Sequence, residues 1–177
     1  PLISFRHIRN GVKRQRNQVK EDDMTQIAHK IEQDIEKNLK DHGYELPKSV
    51  PPLFNYLPYV TSGNNVFVAG QVPIGGDQEY KGKVGDNIDL ETAQAAARQC
   101  ALNILTQIRD AVDGDWSRVV KCVKLGGFVN CHADYSDMSL VINGASDLMV
   151  EVLVEEIVKH ARFAVGAPSL PAGFAVE

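Results

Sequence analysis

The chain has 177 residues, 44% of them hydrophobic, and a formal net charge of −4 at pH 7, which is enough for one globular domain with a real core and a smaller appendage. No run of about eighteen apolar residues occurs, which excludes an apolar membrane-spanning helix, and the first residues lack the apolar centre of a secretory signal. The acidic balance of the body makes it a poor non-specific ligand for phosphate backbones, so nucleic acid is not an expected partner.

Residues 1–23 carry Arg6, Arg9, Lys13, Arg14, Arg16 and Lys20 against Glu21, Asp22 and Asp23. They read as a basic leader, disordered or artificially appended. The acids just before Met24 speak against an organelle-targeting role, because transit peptides avoid them. A cytoplasmic location is therefore expected. The cysteines, Cys100, Cys122 and Cys131, are odd in number and not spaced as zinc ligands, which fits reduced thiols rather than a disulfide framework.

Residues 24–52 form the appendage. Ile27, Ile31, Ile35 and Leu39 recur every four residues and predict an amphipathic helix over 24–42 that docks one narrow stripe, with Gly43 placed to cap its C-terminus. The prolines of Leu46-Pro-Lys-Ser-Val-Pro-Pro-Leu53 then make an extended connector. The main domain is expected over 53–177.

From Tyr59 the period changes to two. Tyr59–Ser62 and Asn65–Pro73 read as the arms of a hairpin around Gly63-Asn64. The glycines between 75 and 85 read as turns, because no lysine-serine or lysine-threonine pair follows to complete a phosphate loop. Asp89 is placed to cap a helix whose apolar face runs Ala93, Ala97, Ala101, Leu105, Ile108 and Val112, until Gly114. Val119–Val129 is a long strand whose Gly126-Gly127 pair predicts a bulge or a close backbone approach. A second helix is expected from somewhere in 137–142 to about Lys159, burying Ile142, Ala145, Leu148, Met149, Val152 and Leu153. Strands at 162–167 and 174–177, with Pro168 and Pro171 at the bend, close the chain. Helices inserted between strands predict an α+β fold: a mixed sheet with two helices packed on one face, the other face left for association.

Chemistry is sparse. Cys131-His132-Ala-Asp134 groups three potential ligands, but close neighbours rarely aim at one ion and no matching group occurs elsewhere, so no metal is expected. Cys100 and Cys122 read as core, and Cys131 as the one exposed thiol. No nucleophile elbow and no dinucleotide fingerprint is present. What remains is Arg162 and Glu177 in otherwise apolar sequence. A guanidinium fork suits a carboxylate, and a glutamate can place a water or take a proton, so together they suggest a site for a small acid. A surface ion pair is the commoner use of such an arginine.

The run Ala161-Arg162-Phe163-Ala-Val165, followed by Leu170-Pro171 and Val176-Glu177, resembles the signature of the Rid family (YjgF, reactive-intermediate deaminases, endoribonuclease L-PSP). Pro58-Tyr59, Phe67-Val68-Ala69-Gly70-Gln71-Val72-Pro73 and Val141-Ile142-Asn143 extend the match over residues 50–177. The resemblance implies a chorismate-mutase-like fold and a homotrimer with clefts between subunits. It also implies cofactor-free hydrolysis of 2-imino acids or enamines to 2-keto acids and ammonia. Carried over by position, Arg162 binds the substrate carboxylate and Glu177 positions or activates water, while Tyr59 and Asn143 line the cleft and Gly70 lets the backbone approach the ligand. Three features depart from the pattern. Ala164 stands where many members have cysteine, His160 stands where proline is common, and the N-terminal helix marks a divergent branch. The closing strand, ending at Glu177, looks truncated, which would leave that carboxylate on a frayed end. A trimer that only binds keto or amino acids is the alternative, with ribonuclease activity third.

Overall fold

The computed structural model describes residues 3–7, 35–49 and 55–177, with backbone alone for 3–7 and for 155–156. Strands β1 (Ile3–His7), β2 (Tyr59–Ser62), β3 (Asn65–Val68), β4 (Val119–Asn130) and β5 (Ala161–Ala167) form one sheet in the order β2-β3-β1-β4-β5. Pairing is antiparallel except between β4 and β5, which run parallel, so the sheet is mixed as predicted. The fold is α+β and chorismate-mutase-like.

Helix α1 is seen over residues 35–41 and keeps the predicted stripe at Ile35 and Leu39, both buried; residues 24–34 lie outside the described residues. Its end is a Schellman cap: the amide of Tyr44 donates to Leu39 at 2.8 Å and that of Gly43 to Lys40 at 3.1 Å. Gly43 supplies the positive φ of 70° that this turn needs. The indole of Trp116, fully buried, donates to Glu36 at 3.0 Å, the Tyr44 hydroxyl bonds Glu151 at 2.6 Å, and the Thr106 hydroxyl donates to the Pro47 carbonyl at 3.1 Å, so side chains fasten the appendage to the domain along its length. The connector has neither helix nor strand as far as it is described, to residue 49; residues 50–54 lie outside.

The hairpin forms as expected, with Ser62 opposite Asn65 and Gly63 at φ 57° in its two-residue turn. Its second arm is shorter than predicted: β3 stops at Val68. Beyond it, the Asn103 side chain takes over the ladder's work, donating to the carbonyls of Val72 at 2.8 Å and Ile74 at 3.1 Å.

The long helix α2 (Leu90–Ala111) starts where Asp89 accepts from the Thr92 amide at 2.8 Å, and all its predicted apolar positions are buried. That hydrogen bond holds the Asp89 carboxyl below its ordinary value of 3.8. A depressed folded-state value means stability that is present above the ordinary carboxylate range and lost as pH falls through the lowered one. Asp89→Asn keeps an acceptor oxygen at the cap, so the variant should hold its melting temperature near neutrality and lose less of it than the parent between pH 5 and pH 3. Equal acid losses in the two proteins would remove Asp89 from the acid response.

Helix α3 (Met138–Val152) and the short α4 (Glu155–Val158) replace the single predicted helix to Lys159. The chain turns extended at Leu153 and Val154, where ψ is 147° and 154°, and the Val152 carbonyl is taken by the Asn38 side chain at 3.1 Å. Helices α2 and α3 pack on each other and on one side of the sheet. Val60, Val120, Val123 and Val165 on the strands remain exposed.

Two expectations about the sheet are corrected. Residues 3–7 are not a disordered arm: they pair with β3 on one side and β4 on the other, while residues 8–23 lie outside the described residues. Ile3-Ser4-Phe5-Arg6 alternates apolar and polar residues, a strand signal hidden in a basic segment. Of the two readings of the β4 glycines, a bulge or a close approach, the second holds. A Cβ on Gly126 would lie 2.3 Å from the Phe163 ring, and one on Gly127 would lie 2.4 Å from Ile142. The register shifts of β4 fall instead opposite β1. At the C-terminus, Val176 bridges Val129, and Glu177 and Phe128 exchange both backbone hydrogen bonds at 2.8 and 2.9 Å. Glu177 is thus held in the sheet rather than frayed.

Candidate functional site

Arg162 sits on β5 opposite Leu125, a position that faces α3. Its Nη1 donates to Asn143 Oδ1 at 2.9 Å and to Ser146 Oγ at 3.1 Å, and its Nη2 donates to the Ser139 carbonyl at 3.3 Å. Ser139, Asn143 and Ser146 fall at i, i+4 and i+7, one face of α3. Three of the five guanidinium hydrogens are thereby occupied. The two left over are Nε–H and one Nη2–H, a fork of the size a carboxylate accepts. Arg162 is exposed and has no carboxylate partner among the described residues, so its charge is not consumed by an ion pair.

Asn143, which the resemblance gives as a cleft-lining residue, is hydrogen-bonded to Arg162, and the other candidates sit elsewhere on the sheet within one chain. Glu177 lies on the opposite edge of β4 from β5, bonded to Phe128, with no hydrogen bond or ion pair to Arg162. Tyr59 begins β2 and Gly70 follows β3, at the far end of the sheet from β5. Gly70 is exposed, and the neighbouring Ala69 amide donates to Pro58 at 2.9 Å. Ser139 and Ser146 were missed. The signal was a polar stripe at i, i+4 and i+7 on a helix with a buried apolar face, which is also what a solvated face looks like.

A groove of about 460 Å³ between α1 and α2, lined by Glu36, Leu39, Lys40, Tyr44, Leu46 and Arg109, is remote from this fork. A void of about 20 Å³ under Gly126 and Gly127, lined by Ala97, Cys100, Ile142 and Val176, is too small for a substrate. Among the described residues no cluster of three or more His, Cys, Asp or Glu could hold a metal ion. No helix among them is long and apolar enough to cross a membrane.

Cys131 is corrected from exposed to buried, with 5% of its surface accessible. Burial raises the thiols of all three cysteines, that of Cys122 to about 12. Thiolates are the reactive form, so an aromatic disulfide reagent at pH 8 should label the native protein slowly and all three positions promptly after denaturation. Rapid labelling of Cys131 in the native protein would show that its loop opens.

The sequence profile of the family described as "YjgF/chorismate mutase-like, putative endoribonuclease" matches residues 36–175. Protein TCP17 of Trypanosoma cruzi is 43% identical over 146 residues, which cover 81% of this chain and 89% of that protein. The crystal structure of Atu1372 from Agrobacterium tumefaciens, a protein of unknown function, is 41% identical with a TM-score of 0.76, covering 85% of this chain and 93% of that one. A structure from Shewanella oneidensis described as a "putative endoribonuclease" is 31% identical with a TM-score of 0.74, covering 80% and 93%. The chain therefore belongs to the YjgF/chorismate mutase-like family.

Proposed function

We propose that this protein hydrolyses 2-imino acids, or their enamine tautomers, to 2-keto acids and ammonia without a cofactor. The observation that carries the reading is the Arg162 fork, with three donors spent on α3 and two adjacent donors left for a carboxylate. An imine carbon is already electrophilic, so the protein's work is to fix the carboxylate and place a water, which is the proximity contribution. Water adds to C2 as the C=N pair moves to nitrogen, and one proton passes from the added oxygen to that nitrogen to give the carbinolamine; the hydroxyl then passes its proton to nitrogen as the C–N bond breaks with its electron pair leaving on nitrogen, which gives the keto group and ammonia. Glu177 is the group proposed to carry these protons.

Tyr59 and Gly70 lie at the other end of the sheet from Arg162, and a neighbouring chain would supply its own copies to the fork. That supports the proposal of a site between subunits, in a homotrimer whose contact surface includes the exposed valines of the strands. Light scattering at micromolar concentration should give three times the chain mass; a stable monomer would contradict a shared cleft.

A binding trimer is the second reading, and one observation favours it: the fork is complete without Glu177. Ribonuclease activity rests on the family description alone. The deciding test generates 2-iminobutanoate in place with an amino-acid oxidase and follows ammonia or 2-ketobutanoate. Faster release with the protein than without it supports hydrolysis. Arg162-dependent binding of 2-ketobutanoate with no acceleration would leave the binding reading standing.

A further inference from the structure

We infer that His160 is a positioning residue for the carboxylate fork, acting through Ser146; the inference rests on reading Arg162 as that fork. His160 Nδ1 lies 2.6 Å from the Val158 carbonyl. A carbonyl oxygen only accepts, so Nδ1 carries the hydrogen and the neutral ring presents a bare Nε2. That nitrogen lies 3.3 Å from Ser146 Oγ, so the serine hydroxyl donates to it. With its hydrogen turned to His160, Ser146 keeps a lone pair for the Arg162 Nη1 at 3.1 Å.

The sequence Val158 carbonyl, His160, Ser146, Arg162 is therefore directional: each group's role fixes the next. Without an acceptor at Nε2, the hydroxyl of a serine in mid-helix is free to turn back to the carbonyl four residues earlier, and the orientation of its lone pairs toward the guanidinium is no longer set. Nη1 would then be pinned by Asn143 alone, and the plane of the guanidinium, which sets the direction of its two remaining donors, would loosen. His160 need not touch substrate to change how well a carboxylate is held.

The test uses the full-length protein, with 2-ketobutanoate as the probe in calorimetric titration and the imidazole nitrogens of His160 followed by NMR. His160→Phe and Ser146→Ala should each weaken binding about fivefold to tenfold, the loss of one hydrogen bond's orienting effect. The double variant should bind no worse than Ser146→Ala alone, because both act on one link. His160→Gln, which keeps an acceptor at the end of a flat side chain, should recover most of the loss. The ring of the parent should show hydrogen on Nδ1 and a bare Nε2 whose signal shifts in Ser146→Ala. A penalty for His160→Phe that persists undiminished in the Ser146→Ala background would overturn the relay, as would hydrogen on Nε2 of the neutral ring. If the parent binds no 2-ketobutanoate, the small-acid reading fails, and the ring spectrum alone then decides for or against the His160–Ser146 link.

Discussion

Arg162→Lys is expected to lower the catalytic efficiency of imine hydrolysis by about thirtyfold to thousandfold while leaving the assembly intact. The structure gives the reason in donors. A lysine ammonium has three, gathered at one point, whereas Arg162 meets Asn143, Ser146 and Ser139 and still offers two more. A lysine that satisfied the α3 acceptors would have nothing left for a carboxylate, and one that met the carboxylate would abandon α3. Losing one charged, partly desolvated contact pair costs on the order of 2–4 kcal/mol, which is the stated range of rates. The melting temperature should hardly move, since Arg162 is exposed. Release of ammonia at the parental rate would take Arg162 out of the mechanism.

Gly144→Ala should be the most damaging small change to the fold near the site. By helix propensity alone the substitution would stabilise by roughly 1 kcal/mol. A Cβ at this position, however, would stand 2.1 Å from the Gln94 carbonyl oxygen, a backbone atom of α2 that cannot turn aside. Overpacking against a fixed backbone atom stands at the upper end of the usual range, about 3 kcal/mol, so the clash wins by about 2 kcal/mol over the propensity gain. For a chain of this size that is a drop of roughly 4–8 °C in the midpoint of thermal unfolding. Asn143 and Ser146 flank the glycine, so separating α2 from α3 would also tilt the fork's support, and binding of a keto acid should weaken with stability. A higher midpoint for the alanine variant would mean that the helices are less closely apposed at Gln94.

Elements with local chemistry were legible in the sequence. The Asp89 cap, the Gly43 stop and the Gly63-Asn64 hairpin each follow from what a few adjacent side chains can do, and the buried face of α2 follows from a sustained period. The misses share a different cause. Strand β1 is short, its four-residue alternation is masked by the basic charge around it, and it depends on partners more than fifty residues away. The break after Val152 carries neither glycine nor proline; it depends on Asn38, over a hundred residues earlier, taking the freed carbonyl. At the site, Arg162 and Asn143 could each be named by resemblance, though not their contact, whereas Ser139 contributes a backbone carbonyl, which sequence cannot single out, and Ser146 looked like surface. The separation of Tyr59 and Gly70 from Arg162 within one chain was likewise invisible, because strand order decides it.

The central claim is that a carboxylate held by Arg162 is what makes imine hydrolysis fast, and one comparison tests it most directly. In the same assay, the protein's acceleration of 2-iminobutanoate decay is measured beside its acceleration of a matched imine without the carboxylate. The account predicts clear acceleration of the first and essentially none of the second, with the difference abolished in Arg162→Lys. Equal acceleration of both imines, or of neither, would contradict it.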